Sequence, residues 1–260
     1  RFQFSLSTDK PGRREFRVQI PEIRDEHSAT NNVTDVAVNV TDAALRILIC
    51  DSRARWEYQY LVNLFRRQKQ IEFDQLQFFP DPTGTGRREA TAELPRTADE
   101  WAEYRVVILG DIGPEQLNVE GQAALREYIV DRGGSLIAIS GQDAMPQSFT
   151  PGPLLDLLPV EQNSGFREDK AGYRVEMTAE ARTMDAMRLT DDVVSTETVW
   201  REMSDVLPVY WLSEYNRPKP ASEILLSAIS NRSGAVATPM AYLCWHRTGA
   251  GRVAFLSSPS

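Results

Sequence analysis

Residues Arg105–Gln142 read RVVILGDIGPEQLNVEGQAALREYIVDRGGSLIAISGQ, and their reading decides the fold. Two short apolar runs, Val106–Leu109 and Leu136–Ile139, each end at a turn residue, Gly110 and Gly141. Both have the length and continuity of strands buried on both faces. Between them Leu125, Tyr128 and Ile129 fall at i, i+3 and i+4, one stripe of an amphipathic helix. Asn118 is placed to cap that helix at its start, and Gly133-Gly134 supplies the left-handed residue that ends it. Strand, helix and strand at this spacing predict a crossover unit with two parallel strands in one sheet.

Working towards the N-terminus, Leu45–Cys50 (LRILIC) reads as a further parallel strand that ends at Asp51-Ser52. Trp56, Tyr60, Leu61, Leu64 and Phe65 then share a helix face, with Arg66, Arg67 and Lys69 gathered where the helix dipole favours cations. Ile71–Phe79 is a second strand. Pro80–Arg96 is polar and rich in proline and glycine, too long for an ordinary connection, and reads as a surface excursion. Thr97 and Glu100 have the spacing of a capping box for a short helix carrying Trp101 and Tyr104.

Residues 1–44 have a different texture. FQFSLS, EFRVQIP and VAVNV alternate with period two, the pattern of half-buried antiparallel strands, and Pro11-Gly12 and RDEHSATNN link them. Three strands are too few for a sandwich, so the expectation is the tail of an immunoglobulin-like domain or a β-extension of the main one. Because Phe2, Phe4 and Leu6 already alternate at the start, the chain is expected to be a piece of a longer protein. Beyond Gln142 the regular alternation weakens. PGPLLDLLPV predicts a short helix, and Tyr173–Met177, Glu223–Ser227, Ala241–Trp245 and Arg252–Leu256 predict strands, the last after the turn TGAG. Arg182–Leu189 reads as a turn or short helix.

Composition narrows the partners. Hydrophobic residues make up 42% and charged residues 25%, enough for a core of useful size. Twenty-nine basic against 37 acidic residues give a net charge of −8, which argues against nucleic acid or an anionic membrane surface. No apolar run reaches the length of a membrane-spanning helix. Cys50 and Cys244 each lie within an apolar run and are expected as buried free thiols, with a disulfide as the alternative in an exported protein.

Ligands of open α/β sheets bind at the carboxyl ends of the strands. Here those positions gather Asp51, Arg53, Arg55 and Glu57 after one strand, Asp111 after the next, and Gln142 and Asp143 after a third. They are the candidate binding residues, set against the plainer alternative that such residues cap helices and satisfy loop amides. Gly84–Arg88 lacks the lysine of a phosphate loop and the strand-to-helix context, and is set aside. Asn32, Asn39 and Asn231 open glycosylation sequons, a pattern common by chance. Of the two histidines, His27 falls in a turn-rich link, while His246 shares a strand face with Cys244 without a third ligand nearby. No metal motif is present and no cofactor is expected.

The segments LRILICDSRARWEYQYLVNLFRR, RVVILGDIGPEQL and LREYIVDRGGSLIAISGQ, in this order, resemble the class I glutamine amidotransferase-like domain. The likeness is to the version found in large bacterial, planctomycete-like membrane proteins that also carry von Willebrand A-type domains. It includes Arg55-Trp56-Glu57-Tyr58 and the closing GAGRVAFLSSPS, and spans roughly 45–260. The resemblance implies a flavodoxin-like α/β fold over 45–260, a mostly parallel sheet with helices on both faces, preceded by an immunoglobulin-like β-rich segment over 1–44. Such enzymes attack an amide with a cysteine on a sharp strand-to-helix turn, assisted by a late histidine and carboxylate. Here Leu136–Ser140 leads to Gly141-Gln142-Asp143 without a cysteine, and His246 is followed by Arg247 and Thr248. The expectation is therefore a non-catalytic domain that binds a small polar ligand or a neighbouring domain of a membrane-anchored, extracytoplasmic parent. The alternative is a hydrolase or amidotransferase with Cys50 as an unconventional nucleophile.

Overall fold

The computed structural model describes residues 12–21, 32–40, 45–52, 55–68, 70–78, 93–161, 165–190, 192–213, 217–232 and 238–258. Contacts divide the chain into two compact units, Arg1–Ala44 and Leu45–Ser260. In the first, β1 (Gly12–Gln19) and β2 (Val33–Val40) form an antiparallel pair with Phe16 opposite Val36 and Arg17 opposite Asp35. Arg17 Nε donates to Asp35 Oδ1 at 2.7 Å, a fully exposed pair that screening makes weak. The expected strand FQFSLS and His27 lie outside the described residues.

The second unit is built on one nine-stranded sheet. In chain order it contains β3 (Leu45–Asp51), α1 (Trp56–Arg66), β4 (Ile71–Gln77), α2 (Ala98–Trp101), β5 (Val106–Leu109), α3 (Val119–Arg132), β6 (Ser135–Ile139) and α4 (Pro153–Leu157). It continues with β7 (Phe166–Met177), α5 (Val193–Val206), β8 (Val209–Ser213), β9 (Glu223–Ser230), β10 (Met240–Thr248) and β11 (Gly251–Leu256). The strand order is β4-β3-β5-β6-β11-β10-β9-β7-β8.

The β5–α3–β6 unit reads as its sequence does. Asn118 accepts from Gly121 N at 2.9 Å, α3 runs to Arg132, and Gly133 ends it at φ 76°. The two flanking strands pair in parallel, Val107 beside Leu136. α1 buries Tyr58 and Val62 with Ile47, Ile49, Ile108 and Ile139. Leu125 and Ile129 of α3 belong to a second cluster with Leu48, Val107, Leu109 and Leu136.

The sheet as a whole corrects the expected flavodoxin-like, mostly parallel architecture. β4, β3, β5, β6 and β11 are joined by parallel pairings, whereas β10, β9, β7 and β8 extend the sheet by antiparallel ones. It is a mixed, strand-dominated sheet, and α5 is the one long helix against its antiparallel half, packed on β7. The reason lies in the connections. Parallel neighbours need a crossover of a dozen or more residues, but β10 turns into β11 through Gly249-Ala250, and so short a link admits only antiparallel pairing.

Periodicity foreshadows neither α5 nor β8, and only part of β7. α5 begins VVSTETVW, rich in β-branched residues that helices disfavour. It is held instead by Asp192, which caps Ser195 N at 2.8 Å, and by Ser204 and Trp200 turned towards β7 and the preceding turns. β7 is twelve residues long, not the five expected, because an irregularity between Glu168 and Tyr173 interrupts its alternation.

Candidate functional site

The strand ends of the parallel half carry a single polar network. Asp51 closes β3 and Arg55 precedes the first turn of α1, so the two stand four residues apart across the strand-to-helix turn. Arg55 Nη2 donates to Asp51 Oδ2 at 2.8 Å and its Nε lies 3.1–3.2 Å from both carboxylate oxygens. The side chains are 17% and 4% exposed, so this is a buried pair in a geometry that leaves the carboxylate well satisfied. Arg55 Nη1 also reaches the Ser140 carbonyl at 3.4 Å, tying the end of β3 to the end of β6.

Asp111 follows β5 and is 3% exposed. Its Oδ1 accepts from the backbone N–H of Ala144 (2.7 Å) and Met145 (2.8 Å), and its Oδ2 from that of Asp143 (3.0 Å). One carboxylate thus satisfies three amides of the loop after β6, which closes further through Gly141 N to Met145 O at 2.7 Å.

Two glycines make the room. A Cβ on Gly110 would lie 2.1 Å from Asp51 Oδ2, and one on Gly141 only 1.9 Å from Asp111 Cγ. No side chain fits at either position while these carboxylates keep their places.

The candidates therefore divide. Asp51, Arg55 and Asp111 come together as internal supports, while Gln142 and Asp143 are exposed on the loop that Asp111 holds. Glu57 is half-buried on α1. Its charge adds to burial in pushing the Tyr242 phenol up to about 12. Arg53 lies outside the described residues. Residues that sequence reading passed over include Ser140, whose hydroxyl donates to Met145 O at 3.3 Å, and Ser52, whose buried hydroxyl has no hydrogen-bond partner. The glycines at 110 and 141 were legible as turn residues. That each makes room for a buried carboxylate was not, because the carboxylate comes from another strand.

The thiols stand apart from this rim. Cys50 is buried in the core with Leu48 and Leu109, and burial, helped by the charge of Asp51, pushes its thiol well above the ordinary range. Cys244 is also free and buried, its thiol raised to about 12 by burial. His246 shares a strand with Cys244 but bonds the Leu157 carbonyl through Nε2 at 2.8 Å, at the C-terminus of α4. Lys219 Nζ donates to the Leu155 and Asp156 carbonyls beside it, at 2.9 and 3.0 Å. Both groups bond the free carbonyls at the end of one short helix. Burial lowers the pKa of both, and the Lys219 charge lowers His246 further. Among the described residues no three His, Cys, Asp or Glu side chains gather as metal ligands.

No protein-family model matches the chain, and no curated protein matches it. Solved structures do. The cytoplasmic protein STM1381 from Salmonella typhimurium LT2 is similar with a TM-score of 0.53 at 15% identity, over 95% of this chain and 84% of that one. The cytoplasmic protein STM3548 from Salmonella typhimurium is similar with a TM-score of 0.53 at 14% identity, over 94% and 84%. At such identities the likeness is one of fold alone. Among the described residues no helix is long and apolar enough to cross a membrane.

Proposed function

We propose that unit 45–260 is a non-catalytic interaction module that presents the loop Gln142–Asp143 to a neighbouring domain of its parent protein. The observation that carries this reading is the state of the strand-end groups. Asp51 is held by Arg55, Asp111 by three amides, and Cys50 is buried with a raised thiol. A nucleophile needs an accessible, lowered thiol and a base within reach, and a general acid or base needs a carboxylate not already spent on the fold. What remains exposed at the rim is a rigidly supported polar loop, suited to recognition.

The amidotransferase alternative has a direct test. Incubation with glutamine should release no ammonia, and iodoacetamide should label Cys50 and Cys244 only after denaturation. Ammonia release that disappears in Cys50→Ser would sink the non-catalytic reading. For the binding surface, Gln142→Lys combined with Asp143→Lys should weaken association with the neighbouring domain at least about tenfold without changing thermal stability. Unchanged association would remove this rim. The sequence resemblance places such a module outside the cytoplasm, whereas the two similar structures are of proteins named as cytoplasmic. Protease added to intact spheroplasts separates these two locations.

A further inference from the structure

A second surface, independent of the rim, lies at the other side of the parallel half. β4 ends the strand order, so one side of its backbone has no strand beside it among the described residues. The hydrogen bonds tell which groups face that side. Phe78 N donates to Asp51 O and Gln70 O accepts from Leu45 N, so the even-numbered residues of this stretch turn their backbone groups towards β3. By the two-residue alternation of a strand, the N–H and C=O of Phe73 and Gln75 point outwards.

They point into a groove. Its lining includes the four consecutive residues 73–76, whose side chains alternate between the two faces of the sheet. Four consecutive strand residues line one groove only along the strand's edge. Residues 93–96, Glu100, Glu103 and Tyr104 complete the lining. The groove is shallow and open, with a volume of about 730 Å³. Leu76, Leu94 and Pro95 give it an apolar lining.

Its charge is one-sided. Among the described residues Asp74, Glu93, Glu100 and Glu103 line it against one cation, Arg96, which pairs with Glu93, while Glu100 also accepts from the Arg96 and Thr97 amides. Arg46, stacked over the Tyr104 ring at 4.9 Å, bonds Asp74 and Glu103 at 2.8 Å each and still leaves carboxylates in excess. Acidic side chains on an edge strand repel a second copy of a chain whose net charge is −8. The same charges attract a basic strand.

We propose that the free edge of β4 takes an extended, lysine- or arginine-bearing segment of another protein as a tenth strand. Main-chain hydrogen bonds to Phe73 and Gln75 supply the pairing, and the groove's carboxylates select the sign of the partner's charge.

The probe is the fluorescein-labelled peptide acetyl-Lys-Val-Lys-Val-Lys-Val-amide, followed by fluorescence anisotropy with the full chain. Saturable binding is expected, weakening about tenfold as salt is raised through the physiological range. Two analogues N-methylated on alternate residues should differ, the one blocked on the β4-facing amides losing at least about tenfold in affinity and the other keeping it. Gln75→Pro, which removes an outward N–H and no bond to β3, should lose binding likewise, and the N-methylated peptides give the same answer on unaltered protein. Absence of binding by the unmodified peptide, or equal binding by both analogues, would overturn the proposal. So would slow hydrogen exchange at the Phe73 and Gln75 amides of the free protein, which would mean the edge is already paired within the chain.

Discussion

At the strand ends of the parallel half, Asp51 and Asp111 bury their charges against a guanidinium and three amides, and so lock the loops after β3, β5 and β6 together. The antiparallel half also buries polar groups, but each serves one local feature. Asp169 accepts from Ala171 N, Ser230 Oγ and Arg232 Nε across the irregularity in β7. His246 and Lys219 occupy the carbonyl end of α4. The contrast teaches how a mixed sheet divides its labour. Parallel strands all deliver their carboxyl ends to one rim, so polar residues there meet and form a network. Antiparallel strands alternate direction and scatter their ends, so polar residues there form small separate clusters.

That contrast is open to attack by substitution. The largest loss is expected from Arg55→Ala, which removes the guanidinium from the buried Asp51 carboxylate. By urea denaturation it should cost about 3–5 kcal/mol, and a cost near that of an exposed pair would show the network to be ornamental. Apolar truncation should not distinguish the halves. Leu109→Ala and Leu226→Ala, both at buried positions, should each cost about 2–5 kcal/mol, and a consistent difference between them would move the contrast from polar groups to packing.

Asp111→Asn keeps the shape but replaces one accepting oxygen with a donor set against a backbone N–H and takes the charge from the bonds that remain, and it should cost about 1.5–3 kcal/mol. Replacing Asp169 in the same way tests a carboxylate whose pKa is lowered chiefly by the Ser230 hydroxyl. Its contribution is present above the unfolded value and is lost only as pH falls below about 4.

His246 carries the opposite sign. Burial lowers its folded pKa below the ordinary value of about 6.5, so the unfolded chain takes up a proton that the folded one refuses. Stability is full above that value and declines as pH falls through it. His246→Gln should flatten this decline between about pH 7 and 5 in thermal melts, and an unaltered decline would assign it elsewhere. The smallest effect belongs to the exposed rim: Gln142→Ala should change stability by no more than about 0.5 kcal/mol.

Much of the parallel half was legible. Val106–Leu109 and Leu136–Ile139 are continuous apolar runs because both their faces are covered, and such a run identifies itself without knowledge of its neighbours. The capping box at Thr97 and Glu100 and the Asn118 cap are equally local. The candidate site was legible as a set of residues but not as a function. Asp51, Arg55 and Asp111 were placed at the right strand ends. Their engagement in internal bonds depends on Ser140 and on the amides of Asp143, Ala144 and Met145, which the linear sequence does not place beside them. α5 was hidden because its β-branched residues argue against a helix, and packing on β7 outweighs them.

By itself, the sequence determined the crossover from β5 through α3 to β6, the burial of both cysteines and the net negative charge, since each follows from residues in one stretch or from composition alone. Only the tertiary structure decided that four further strands extend the sheet in antiparallel pairings, that the strand-end carboxylates are spent on the fold, and that β4, with acidic side chains nearby, has no strand beyond it among the described residues. These depend on which strands become neighbours. Pairing energies between strands are similar from one partner to another, so neighbour choice is settled by connection lengths and by the packing of the whole.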